Sequence, residues 1–273
     1  MPIDEPESFI EDVGERARIR AEAGFGLREI RDEIERLPAG ARVLEIGCGT
    51  GCLLARLSVL RPDLAFEGLE PIGKGFAKFE HALTQVAESY RGIRIHRAPI
   101  EGFGLEPGAG EFDLVFSVNV FEHLTDWRQA LDRSVALLSP GGRMLVLCPN
   151  YAFPYESHFG IPIVLGPGPT RALFRRRIER LERELDAASL WDSLNFITIP
   201  AVRRHCRARG VSVTFDRGIM ERMLARLDND PEFARRQGAM ANVARLLVRM
   251  RIARLLQVMP ADIAPYMKAV IHI

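Results

Sequence analysis

Glu45, Gly47, Gly49 and Gly51 are the residues whose types and spacing most directly suggest chemistry. They lie in the run Val43-Leu44-Glu45-Ile46-Gly47-Cys48-Gly49-Thr50-Gly51. Glycine tolerates positive φ and lets a ligand lie close against the backbone. A short apolar strand, a glycine turn and a helix start are the makings of a nucleotide-type site at the carboxyl edge of a parallel sheet. The spacing is Gly-x-Gly-x-Gly, so it departs from the dinucleotide pattern Gly-x-Gly-x-x-Gly. A Walker A loop would end in Gly-Lys-Ser/Thr, and Gly51-Cys52 excludes it. An acidic residue beside the turn repels a phosphate and suits a cationic or amino-bearing ligand. The chemistry expected is the binding of an adenosine-containing cofactor.

Further candidates follow in chain order. Glu70, before Pro71, closes the segment Phe66-Glu67-Gly68-Leu69, and a carboxylate there can accept two hydroxyl hydrogen bonds. The alternative is a solvent-facing loop glutamate. Ala98-Pro99-Ile100-Glu101 comes next, with Glu101 placed to cap the short helix beyond it. Phe112–Ser117 leads into Val118-Asn119-Val120-Phe121-Glu122-His123. Histidine suits proton transfer near neutral pH. His123 and His158 are both candidates, and Glu156 stands beside His158 as a polar handle in an aromatic loop, Tyr151–Phe159. The plainer reading makes His123 structural and His158 an inert hydrogen-bonded residue in a docking loop.

These residues need a scaffold that brings strand ends to one edge. A βα alternation provides it, with strands at 42–46, 64–69, 93–96, 112–117 and 143–148. Helices are expected at about 50–60, 74–89 and 126–138, and a Ser139–Gly142 turn before the fifth strand. Residues 149–169 carry five prolines and three glycines and read as an ordered loop. A helix is expected over 171–190, with Phe174, Ile178, Leu181, Leu185 and Ala188 on one face. Helices at 200–209, 219–228 and 239–258, a strand at 211–215 and a last strand near 267–272 complete the reading. Residues 1–37 form a helical segment of one or two helices interrupted near Gly24-Phe25-Gly26. Residues 38–273 form the main domain, with helical insertions at about 150–197 and 217–260 placed to act as a substrate lid.

Composition sets limits. The chain has 273 residues, 47% hydrophobic and 27% charged, with a formal charge of +1. A near-neutral chain does not suggest a nucleic-acid groove. The arginines at 175–177, 180 and 183 are the exception. They read either as a solvated helix face bridged by glutamates or as peripheral contact with an anionic or membrane surface. Cys48, Cys52, Cys148 and Cys206 have no metal-ligand spacing, and no metal site is expected. The N-terminus has no apolar targeting segment, and no apolar run reaches ~18 residues, so a cytoplasmic location is expected.

Together these motifs resemble those of the class I S-adenosylmethionine-dependent methyltransferases, over residues 41–148. The resemblance implies an α/β fold: a doubly wound, seven-stranded Rossmann-like sheet, mostly parallel with one antiparallel strand. It implies S-adenosylmethionine as cofactor, with Glu45, Gly47, Cys48, Gly49 and Gly51 at the methionyl side. It also implies Glu70 and Pro71 at the ribose, Ile100 and Glu101 at the adenine, and Ser117, Val118 and Asn119 beneath the sulfonium. The expected acceptor is a small or lipid-linked metabolite, methylated most readily at oxygen. The Asn-Pro-Pro-Tyr motif of many amino-group methylating enzymes is absent. The competing readings are an RNA or protein methyltransferase and a non-catalytic binding protein that keeps the fold.

Overall fold

The computed structural model describes residues 5–71, 79–104, 111–185, 187, 189–231, 233–234 and 260–273. Nine strands are described: β1 (Arg42–Ile46), β2 (Ala65–Leu69), β3 (Ile93–His96), β4 (Phe112–Val118), β5 (Leu138–Pro149), β6 (Tyr155–Glu156), β7 (Ile161–Pro162), β8 (Ser212–Phe215) and β9 (Tyr266–His272). Seven of them form one sheet in the order β3-β2-β1-β4-β5-β9-β8, and β6 and β7 form a separate antiparallel pair. β1 runs parallel to both β2 and β4, and β2 parallel to β3. The exit of β5 meets the entry of β9, where the Asn150 N–H donates to the Pro265 carbonyl at 3.0 Å. β9 is therefore the antiparallel strand, and the doubly wound, mostly parallel architecture expected from the sequence is present.

The described helices are α1 (Val13–Glu35), α2 (Cys52–Leu60), α3 (Glu80–Ser89), α4 (Trp127–Ala136), α5 (Pro167–Glu184), α6 (Leu190–Ser193), α7 (Ile199–Ala208) and α8 (Ile219–Asn229). The expected helix at 239–258 lies outside the described residues. Among the described residues, no helix is long and apolar enough to cross a membrane. The chain forms two compact units. One comprises 1–118, 128–145 and 272–273, and the other 119–127 and 146–271.

In the first unit, Val43, Leu44, Leu54, Leu57, Phe66, Leu114, Val115 and Phe116 are buried, as parallel strands covered by helices require. α1 is one continuous helix, where an interruption near Gly24–Gly26 was expected. Gly26 serves packing instead: a Cβ there would lie 2.5 Å from Leu53 Cδ2, so its absence lets α1 approach α2. The N-terminal end of this unit is held by Glu7, fully buried, whose carboxylate accepts from Arg56 Nε at 2.8 Å and Nη2 at 3.0 Å.

β5 begins at Leu138 and absorbs the expected Ser139–Gly142 turn. Gly141 keeps its turn-like φ of 80°, and Ser139 Oγ donates to Asp113 Oδ1 at 3.0 Å.

In the second unit, α5 ends at Glu184, short of the expected Leu190. The helix bends at Phe174 (φ −106°, ψ 15°), and of the expected apolar stripe only Ile178 is buried. Ala188 lies outside the described residues. The arginine face is bridged along the helix: Arg175 to Glu179 at 2.7 Å and Arg180 to Glu184 at 3.6 Å. Arg177 Nε donates to the Phe159 carbonyl at 2.9 Å. Tyr151 and Phe159, at the two ends of the aromatic loop, are buried. Their rings meet Phe196 and Trp191, with centroids 4.9 and 5.6 Å apart. Phe196 and Trp191 themselves stand 5.5 Å apart.

Candidate active site

In the first unit, register places the strand ends in one row. Ile46 pairs with Leu69 and with Ser117, and Leu69 pairs with His96. Residues just beyond this row therefore leave the sheet along one edge. The glycine loop is held there by the next strand: the Gly47 and Cys48 N–H groups both donate to the Leu69 carbonyl, at 2.8 and 3.1 Å. Gly47, Gly49 and Gly51 have φ of 70°, 54° and 73°, a region that β-carbons disfavour. A Cβ on Gly49 would meet no atom within 4 Å, whereas one on Gly51 would press on Leu83 at 3.1 Å. Backbone conformation thus dictates Gly49, and packing adds to the requirement at Gly51.

Two carboxylates define the electrostatics. Glu70 Oε2 accepts from the Gly49 N–H at 2.8 Å, tying the end of β2 to the loop. Glu45 is buried and its Oε2 has no hydrogen-bond partner. Burial, reinforced by the nearby Glu70 charge, holds the Glu45 carboxyl well above its ordinary pKa. A buried, unpartnered carboxyl beside a second one favours a cationic ligand. Ser117 Oγ is likewise buried without a partner. Cys48 is buried, and burial with the Glu45 and Glu70 charges pushes its thiol up, so it is a packing group rather than a thiolate. Ile100 is buried and opens a short 3-10 helix with half-buried Glu101 in its first turn; the capping position is Pro99, with no side-chain cap bond. Pro71 is exposed and Val118 half-buried.

The second unit contains Asn119, His123, Glu156 and His158. Asn119 has φ 56°. Its N–H donates to the Leu147 carbonyl at 2.8 Å, and its Oδ1 accepts from the Tyr266 hydroxyl at 2.6 Å. Glu156 is fully buried and accepts four bonds: from Tyr151 OH (3.2 Å), the His158 N–H (3.2 Å), the Phe159 N–H (2.7 Å) and His158 Nδ1 (2.6 Å). Burial opposes its ionisation, but the His158 and backbone donors outweigh it and hold the carboxyl below its ordinary pKa. An ionised carboxylate only accepts, so His158 Nδ1 carries a proton.

His123 Nδ1 lies 2.8 Å from Ser193 Oγ, which donates to the Leu190 carbonyl at 2.7 Å. The serine hydrogen is used there, so Nδ1–H donates to Ser193 and Nε2 holds the lone pair. Burial, with His158 nearby, lowers His123 to about 3, so it is neutral. The His123 and His158 rings meet edge-on, with centroids 5.2 Å apart. Glu122 is fully buried and neither carboxylate oxygen has a hydrogen-bond partner. Burial raises its pKa to about 7, against an opposing contribution from His158. The turn carrying Glu122 and His123 is clamped by Asn195. Its Nδ2 donates to the Phe121 and Leu124 carbonyls at 2.6 and 2.8 Å, and its N–H to the Glu122 carbonyl at 2.8 Å. Sequence reasoning passed over Ser193, Asn195 and Tyr266, which lie 70 or more residues from their partners.

A seven-stranded sheet with a glycine loop and acidic strand ends defines a methyltransferase-type nucleotide fold. A methyltransferase-domain family model matches residues 19–214, and the chain belongs to this family, that of the class I S-adenosylmethionine-dependent methyltransferases. It is an enzyme of that class, and S-adenosylmethionine is its cofactor. It is 37% identical over 252 residues to an uncharacterized protein of Mycobacterium tuberculosis, covering 90% of this chain and 84% of that one. It is 26% identical over 182 residues to a ubiquinone biosynthesis O-methyltransferase of Nitrobacter winogradskyi, covering 67% of this chain and 60% of that one. Among solved structures, a Haemonchus contortus phosphoethanolamine N-methyltransferase bound to S-adenosyl-L-methionine superposes with a TM-score of 0.54 at 15% identity. That match covers 99% of this chain and 60% of that chain, a likeness of fold.

Proposed function

We propose that the chain methylates an oxygen of a small or lipid-linked acceptor, with His158 as the residue that handles the acceptor's proton. The observation that carries this reading is the buried, ionised Glu156 holding His158 Nδ1 at 2.6 Å, a carboxylate–histidine pair of the kind that orients a base. Glu156 is then a positioning residue, since its carboxylate is wholly engaged in the protein. Bound S-adenosylmethionine would supply a methyl group activated by a sulfonium leaving group. Glu45, the loop Gly47–Gly51, Glu70, Pro71, Ile100, Glu101, Ser117, Val118 and Asn119 are the residues we assign to hold it. The buried, unpartnered Glu45 oxygen supports a cationic ligand at this loop. The resemblance to a ubiquinone biosynthesis O-methyltransferase supports an oxygen acceptor.

A labelled-methyl assay against fractionated lysate tests the acceptor class. Label in a small or lipid-soluble product is expected. Label confined to RNA or protein would overturn the reading, and cofactor binding without any label would favour a non-catalytic protein.

Two predictions concern the cofactor. Glu70→Ala is expected to weaken S-adenosylmethionine binding by about 1–3 kcal/mol, roughly 5–150-fold, on losing charge-assisted acceptors. Glu70→Gln keeps an oxygen for the Gly49 N–H, so the alanine and glutamine variants separate loop support from ligand contact. Equal affinity in calorimetry for parent and alanine variant would remove Glu70 from the site. The second prediction is proton release. A cation beside Glu45 lowers its raised pKa, so binding expels a proton and affinity rises with pH, at most about tenfold per unit. Calorimetry over a series of pH values, in two buffers of different ionisation heat, should detect the release; identical heats at every pH would refute it.

A further inference from the structure

Three side chains in the second unit bring potential ligand atoms to within 4.8 Å of one another: Glu122, His123 and His158. We propose that they form a site for one divalent transition-metal cation, which takes the acceptor oxygen at an open coordination position. The acceptor role rests on the oxygen-methylation reading above, with His158 Nε2 then holding the cation in place of taking the proton itself; the cation site does not rest on that reading.

Four features of the cluster support it. The donor set is two imidazoles and one carboxylate, a combination suited to zinc, iron, cobalt or manganese rather than to magnesium or calcium. Three protein donors leave coordination positions for water or substrate, as catalytic rather than structural sites do. Each imidazole is already fixed through its other nitrogen: His158 Nδ1 on Glu156 at 2.6 Å and His123 Nδ1 on Ser193 at 2.8 Å. A carboxylate behind a histidine is the usual outer support of a metal ligand, setting its tautomer and strengthening its donor nitrogen. Both Nε2 atoms are thereby the ones a cation would take.

Glu122 supplies the fourth. Its carboxyl is fully buried and both oxygens lack hydrogen-bond partners. A buried carboxyl in that state must keep a proton or find a cation. A cation would displace the proton and satisfy the carboxylate. The turn that carries two of the donors is clamped by three hydrogen bonds from Asn195, so the donors are set before a ligand arrives. A hydroxyl bound to the cation would break its O–H bond more readily, leaving the electron pair on oxygen and the proton to water.

Tag-free protein stripped with a chelator and titrated with Co²⁺ tests the site directly. One equivalent is expected to bind with visible d–d absorption. His158→Ala and Glu122→Gln should each weaken binding by at least about tenfold, and Glu156→Gln, which leaves the donors in place, by roughly 10–100-fold. His158 lies on a loop with its side chain 23% exposed, so its variant serves where Glu122→Gln fails to fold. No uptake of Co²⁺ or Zn²⁺ by folded parent protein would overturn the site, as would uptake unchanged in the His158 variant. In the labelled-methyl assay, stripped protein should lose product and regain it with metal; full activity after stripping overturns the acceptor role. Protein that takes up cobalt as expected but labels no oxygen upholds the cation site and defeats only the oxygen-methylation reading.

Discussion

Replacing His158 by alanine is expected to cut turnover by roughly 10²–10⁴-fold, the range contributed by a positioned proton-transfer group. Affinity for S-adenosylmethionine should stay near that of the parent. The residue is held by a buried carboxylate, at 2.6 Å, and by the hairpin turn that places Glu156 opposite Ile161. The expectation holds whether Nε2 takes a proton itself or acts through a bound cation, because both depend on Glu156 fixing the ring. Glu156→Gln should reproduce part of the loss in kcat. His123→Ala should lower stability, since it removes a half-buried ring bonded to Ser193, and should weaken uptake of the proposed cation as well. Single-turnover rates and calorimetry on the two variants decide the matter. Parent-like turnover without His158, and lost turnover with normal cofactor affinity without His123, would exchange their roles.

Arg56→Met is expected to destabilise the first unit by about 2–3 kcal/mol. Breaking a buried ion pair by removing one partner costs about 3–5 kcal/mol, because the other charge is left uncompensated. Glu7 is fully buried, while the Arg56 side chain is 28% exposed, so water reaches part of the pair and the cost falls below that range. The thermal midpoint should fall by roughly 5–10 °C. Glu7→Gln in the Arg56→Met background should recover part of the loss, since the buried charge is gone. A drop under about 1 kcal/mol in Arg56→Met, read in a reversible urea transition, would show that the N-terminal contact is loosely held.

Much of the first unit was legible in the sequence. β1 and β3 have the expected bounds, because short β-branched and aliphatic runs are flanked by turn residues. The glycine loop was legible because three alternating glycines after a strand have few other uses. The misreadings have physical causes. Glycines near 24–26 looked like a helix break, yet Gly26 is there so that Leu53 can pack against the helix. The periodicity of 171–190 overstated α5, whose stripe is interrupted by the bend at Phe174. The residues around the histidines were hidden for another reason. Ser193, Asn195 and Tyr266 reach their partners only through tertiary folding, and their isolated residue types carry no local signal. The expectation of no metal site rested on cysteine spacing, and the grouping of Glu122 and His123 with the distant His158 has no fixed spacing by which a sequence could test it.

The position of β9 has a consequence for how the chain folds. It lies between β5 and β8, yet residues 150–265 separate it from β5. The interior of the sheet is therefore closed by a distant segment, and loop closure of that length slows folding. Until β9 inserts, the edges of β5 and β8 present open backbone donors and acceptors to any strand nearby. A second chain's β9 would satisfy them equally well. Refolding at high protein concentration should thus yield strand-exchanged dimers, and dilution should suppress them.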